Sequence, residues 1–152
     1  MQTAPLTRPA VTELIRAARL RKGLRWSKVA EVVGASKEWT TAACLGQMAL
    51  SGKEATAVVE LFDLPAEAVA LLQASPDRGT LATAVPTDPL IYRFYELVSV
   101  YGSTLKELID EEFGDGIMSA IDFAMSIERE PNPAGDRVRI VMDGKFLAYK
   151  RY

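Results

Sequence analysis

The 152-residue chain contains no histidine and one cysteine. Without histidine it lacks the commonest general base and the commonest zinc or copper ligand. Ser-His-Asp and Cys-His catalysis are therefore excluded. One thiol also excludes an intrachain disulfide and a thiolate zinc cage. An oxygen-only magnesium or calcium site stays open on composition alone. Apolar runs long enough to span a bilayer are missing, and the first twenty residues lack the apolar stretch of a secretory signal. Cys44 and the missing signal suit a reducing cytoplasm. Any enzymatic chemistry must rest on carboxylates, Arg or Lys, hydroxyls and backbone dipoles.

What is present is the composition of a globular protein, 49% hydrophobic and 25% charged. The charge is uneven. Residues 1–87 hold ten Lys and Arg against eight Asp and Glu, whereas residues 88–152 hold eight against twelve. The halves are expected to face different surroundings.

Helical spacing dominates the first half. Val11, Leu14, Ile15 and Ala18 mark a helix stopping near Gly23. A second is read from Ser27 as N-cap to Gly34, a third from Ser36 with Glu38 behind it. Two more, within Ser51–Pro65 and Pro65–Ser75, bring the total to about five before Pro76. Residues 75–89, rich in Pro, Gly and Thr, read as a linker. The expected division is a helical domain 1–75, a linker 76–87 and a second domain 88–152.

The second domain opens with Asp88 as N-cap and Pro89 in the first turn. That helix is read to Tyr101, with a break at Gly102. Thr104 and Glu107 form a capping-box pattern that starts another helix, ending near Gly114. Beyond Gly116 the period becomes two: Ile121, Phe123, Met125 and Ile127 alternate with polar or small residues, and Val138, Ile140 and Met142 repeat the pattern. Asp143-Gly144 reads as a type I′ turn. Two helices and about three antiparallel strands make the chain α+β. They give so small a core that oligomerisation is expected to complete it.

GLRWSKVAEVVGASKEWTTAACLGQ, followed by more helices, resembles the helix-turn-helix of the lambda-repressor class, with Arg16, Arg19, Arg21, Lys22, Arg25 and Lys28 just before it. The recognition position offers Thr40, Thr41, Ala42 and Ala43, which are poor in groups that read bases. Packing against partners is the favoured role. A helix-turn-helix regulator with a small-anion sensing domain is the alternative. Cys44, among small apolar residues, reads as a buried filler. The acidic run Asp110, Glu111, Glu112 and Asp115 reads as a solvated face.

Arg93 and Glu96 share a helix face at i, i+3. Leu90, Ile91, Tyr92, Phe94, Tyr95 and Leu97 surround them, so the helix is expected to be buried, and a buried Arg needs a partner. Ser119 follows Gly114-Asp115-Gly116, whose backbone can approach a ligand and offer N–H groups to an anion. Taken alone, a serine there is more often a turn cap. Together, Arg93 and the Gly-rich turn describe a small-anion site.

The segment PTDPLIYRFYELVSVYGSTLKELIDEEFGDGIMSAIDF, from Pro86 to Phe123, and the tail DGKFLAY strongly resemble the cyanase (cyanate hydratase) family. The first half is a looser match, retaining LGQ at Leu45–Gln47. The resemblance implies that cyanate and bicarbonate combine to give carbamate and CO2, carbamate then releasing ammonia and a second CO2. It also implies no metal or organic cofactor, no nucleic-acid or membrane partner, and a homodecamer of five dimers whose C-terminal sheets interlock. The family's active sites lie between subunits, and its catalytic residues fall on Arg93, Glu96 and Ser119. Ala148 stands where relatives often have proline, in a tail that the resemblance implies could line or close the site.

Overall fold

The computed structural model describes residues 5–79 and 81–151. The chain divides between residues 80 and 81 into two compact units.

The first unit is five helices: α1 (Arg8–Arg21), α2 (Trp26–Val33), α3 (Lys37–Cys44), α4 (Gly52–Phe62) and α5 (Ala68–Gln73). The ends follow local chemistry. Thr7 caps α1 by accepting the Ala10 N–H, and Ser36 caps α3 by accepting that of Trp39. Ser51 and Glu54 form a reciprocal capping box on α4. Helix α2 differs from the expectation. Arg25, not Ser27, is its N-cap, and no side chain closes that end, because Trp26 already turns helical. Val11 and Ile15 of α1, Val29 of α2, Ala43 and Cys44 of α3, Val58 and Phe62 of α4 and Leu72 of α5 form one closed core. Trp26 and Trp39 pack against it, half-buried.

The second unit is one helix and one hairpin. Helix α6 runs unbroken from Pro89 to Phe113, capped by Asp88, which accepts the Leu90 and Ile91 N–H groups. The expected break at Gly102 is absent, and the Thr104–Glu107 pattern lies inside the helix. A mid-helix glycine costs only about 1 kcal/mol relative to alanine, too little to stop 25 residues of otherwise good pattern. Strands β1 (Gly116–Glu130) and β2 (Arg137–Ala148) pair antiparallel, so among the described residues there are two strands, not three. The turn is the loop at residues 131–136. Asp143 and Gly144 lie within β2, opposite Ala124 and Phe123.

The ladder contains one irregularity. Met118 pairs with Phe146 and Phe123 with Gly144, so residues 119–122 face Lys145 alone. This is a long bulge in β1. The sequence carries its trace: apolar positions 118 and 120 slip by one to 121, 123, 125 and 127. The C-terminal end of α6 meets the hairpin where Phe113 and Phe146 stack, ring centroids 5.3 Å apart. No residue of α6 is buried in the single chain.

Candidate active site

Helix α6 holds Arg93 and Glu96 one turn apart. Arg93 Nη1 donates to Glu96 Oε2 at 3.2 Å. Both side chains are open, 68% and 50% exposed. The expectation of a buried Arg93 is thus not met within one chain. Its premise, that an all-round apolar helix must be covered, needs a covering that this single chain does not supply. Leu90, Tyr95, Leu97 and Tyr101 on the same helix are exposed as well.

Ser119 is the opposite case. It is 5% exposed and sits in the bulge of β1, not in a Gly-rich turn. Its Oγ accepts the Ile121 N–H at 3.0 Å and the Asp122 N–H at 2.9 Å. No nest at the glycines is seen; Ser119 Oγ instead caps the turn that follows it, the role expected of a serine taken alone. Asp122 Oδ2 stands 4.0 Å from Lys145 Nζ across the bulge. Behind it, Ile109, Phe113, Met118, Met142 and Gly144 help line a cleft of about 280 Å3.

The structure brings Arg93 and Glu96 together and keeps Ser119 apart from both. Ser119 lies against Gly144, which shares that cleft with Ile109 and Phe113. Sixteen residues of helix separate Arg93 from Ile109, about 24 Å at 1.5 Å per residue. An arginine side chain cannot span that. In a single chain the three residues do not converge.

Elsewhere, the basic run of the first unit is largely spent on its own surroundings. Arg19 donates to the Leu24 carbonyl and lies 5.0 Å over the Trp26 ring. Lys22 pairs with Asp63 at 2.6 Å, Lys28 with Glu31 at 2.7 Å and Arg16 with Glu13 at 3.5 Å. Cys44 is fully buried, and that burial pushes its thiol up to about 12, against a smaller opposing pull from Arg8. It is a filler without thiolate reactivity. Lys106 and Asp110 pair at 2.6 Å on α6, and among the described residues no group of three His, Cys, Asp or Glu could hold a metal ion. No helix of the described residues is long and apolar enough to cross a membrane.

Three groups in contact with Ser119 stand outside the residues that the sequence points to. The Ile121 and Asp122 N–H groups had a signal, the phase slip after Ala120. Gly144 reads as a turn residue because Asp-Gly is a strong hairpin pattern, whereas the strand register places it within β2 opposite Phe123.

Comparison with known proteins covers both units. Residues 83–151 match the family model described as cyanate lyase C-terminal domain, and residues 8–76 match that described as cyanate hydratase, N-terminal. Cyanate hydratase of Ralstonia pickettii is 66% identical over 97% of this chain and all of its own length. The cyanate hydratases of Cupriavidus necator and Thiobacillus denitrificans are 64% and 63% identical with the same coverage. The crystal structure of cyanase from T. urticae superposes with a TM-score of 0.76 at 38% identity, covering 91% of this chain and 96% of that one. The chain belongs to the cyanate hydratase (cyanate lyase) family.

Proposed function

We propose that the chain catalyses the bicarbonate-dependent decomposition of cyanate, and that Arg93, Glu96 and Ser119 are its catalytic residues. Cyanate, bicarbonate and a proton give carbamate and CO2. Carbamate and a second proton give ammonia and CO2. The observation that carries the reading is identity of 63–66% to cyanate hydratases across 97% of the chain.

Two anions must meet, so their repulsion must be offset. A guanidinium keeps its charge and offers a planar fork of donors to two oxygens at once, which suits Arg93. Ser119 contributes a hydroxyl whose acceptor positions are already filled by two N–H groups. Its own proton is left to donate to an anion and to the charge that develops during attack. Glu96 orients Arg93 through the 3.2 Å ion pair. The reaction draws on positioning and preorganised charge, and the reading requires no metal or organic cofactor.

Because one chain keeps Arg93 about 24 Å of helix away from the Ser119 end, the site is assembled from more than one chain. We place it in a homodecamer of five dimers, with the hairpins interlocked, in the cytoplasm. The open apolar surface of α6 and of both strands supports that assembly. The regulator alternative finds no support in the comparisons, and the local pairing of Arg16, Arg19, Lys22 and Lys28 leaves few cations free for a phosphate backbone.

Ammonia release from cyanate tests the reaction. The purified protein should form ammonia only with bicarbonate present, and Arg93→Lys should lower kcat/KM by about 100- to 1000-fold while keeping the oligomer. Mixed oligomers test the shared site. Arg93→Lys and Ser119→Ala chains, each strongly impaired but measurable alone, should gain activity well above either parent when unfolded and reassembled together. A mixture no more active than its parents would place Arg93 and Ser119 of each site on one chain.

A further inference from the structure

We propose that Gly144 is a positioning residue for the reaction: the absence of its side chain lets the 119–122 bulge close onto β2 and so holds the Ser119 hydroxyl as a hydrogen-bond donor. The inference rests on the assignment of Ser119 to the active site and adds to it a residue on the opposite strand.

Four residues of β1 stand where the ladder has room for one, opposite Lys145. Such a bulge is held only if something fixes its path. On its own strand the fixing is the pair of bonds from the Ile121 and Asp122 N–H groups to Ser119 Oγ. Across the ladder it is Gly144. A β-carbon there would run into the Ser119 carbonyl oxygen and lie 2.6 Å from Met118 Cγ. The Ser119 backbone thus rests directly on the Gly144 backbone, and any larger residue must push it away.

The push reaches the hydroxyl. Ser119 Oγ has one proton and two acceptor positions, and the two N–H groups take the latter. Accepting them polarises the O–H bond and strengthens the proton as a donor. Among the described residues Ser119 Oγ accepts these two bonds and donates none, so its proton is available to an anion. Displacing the Ser119 carbonyl turns the residue, loosens both bonds and withdraws the donor. Gly144 therefore acts through Ser119 and touches no substrate.

The test is a double-mutant cycle in the full oligomer, with Gly116→Ala as a control for strain. A β-carbon at Gly116 meets the Leu147 carbonyl oxygen and lies 2.5 Å from the Phe146 ring, an equally severe conflict that involves no atom of Ser119. Gly144→Ala should lower kcat/KM by about 100-fold, the cost of a misplaced donor. In a Ser119→Ala background the same change should cost less than about 3-fold, because the group it positions is gone. An equal loss in both backgrounds would make Gly144 a purely structural glycine and overturn the proposal. If Gly144→Ala does not assemble, Met118→Ala/Gly144→Ala replaces it, retaining the conflict with the Ser119 carbonyl. Amide hydrogen exchange supplies a second readout independent of turnover. The Ile121 and Asp122 amides should exchange faster in Gly144→Ala, as in Ser119→Ala, and stay protected in Gly116→Ala. Unchanged exchange in Gly144→Ala also overturns the proposal. A wild type that releases no ammonia from cyanate overturns the functional reading alone, and the exchange data then decide this one.

Discussion

The two units handle apolar surface in opposite ways. From Val11 to Leu72 the first unit buries an apolar side chain from every helix, and Phe62, Ile15 and Leu72 are fully enclosed. The second unit carries Tyr92, Phe94, Tyr95, Tyr101, Phe113 and Ile121, the last 97% exposed, and among its described residues only Pro86 and Ser119 are buried. Apolar area of that extent is not left to water, since each fully exposed large side chain forgoes roughly 1.5–3 kcal/mol of burial. The first unit is complete as a single chain. The second leaves open the surface that the proposed assembly would cover, and the one polar side chain buried among its described residues is the proposed active-site serine.

The largest test of this contrast is a charge on α6. Leu105→Asp should disperse the oligomer and lower activity at least about 100-fold, because a buried, unpaired carboxylate costs several kcal/mol. Gel filtration and ammonia release read the two effects. The first unit should be untouched, so Trp26 and Trp39, both within it, should show an unaltered unfolding midpoint for those helices. An oligomer that survives Leu105→Asp would mean that this part of α6 faces solvent in the assembly.

The reciprocal change belongs to the first unit. Phe62→Ala should cost about 3–5 kcal/mol of that unit's stability, as an enclosed aromatic replaced by a cavity does. Urea unfolding followed by tryptophan fluorescence measures it. At a temperature where the variant stays folded, kcat should remain within about 3-fold of the wild type, as for a core change distant from the reacting groups. A collapse of kcat in a folded Phe62→Ala oligomer would show that the helical unit contributes to the site, and the contrast between the units would fail.

The same contrast explains what is legible in the sequence. Elements stabilised by their own sequence were readable: the Ser36 and Asp88 caps, the five N-terminal helices and the start of α6 all rest on contacts within a few residues. Features decided by distant partners were not. Gly102 and the Thr104–Glu107 pattern suggested a break because each is a local signal, but the helix continues through both. Asp143-Gly144 looked like a turn for the same reason, and only pairing with Phe123 and Ala124 reveals it as strand. Arg93 and Glu96 were identified as a pair, and their 3.2 Å contact agrees. The expected burial of Arg93 is not met within one chain, whose own residues leave α6 open. Ser119 was singled out with its glycines, while the bulge that holds it depends on β2.

The smallest expected effect concerns Cys44 and separates the units by pH. Burial raises its thiol from 9.0 to about 12 in the folded chain, outweighing the lowering by Arg8. Below pH 9 the thiol is protonated whether the chain is folded or not, so its contribution to stability is fully present. Above pH 9 the unfolded chain loses the proton while the folded one keeps it. Stability of the first unit then declines by about 1.4 kcal/mol per pH unit until the folded thiol itself titrates near 12. Lysines and tyrosines titrate in the same range, so the informative quantity is the difference between wild type and Cys44→Ala at pH 8, 10 and 11. That difference, read by tryptophan fluorescence in urea, should shift in favour of the alanine variant as pH rises. The second unit has no cysteine, so activity lost over this pH range should be the same in both proteins. If the gap between them stayed constant from pH 8 to 11, Cys44 would be reachable by water in the folded unit, and the core around it would be less closed than its full burial beside Ala43 requires.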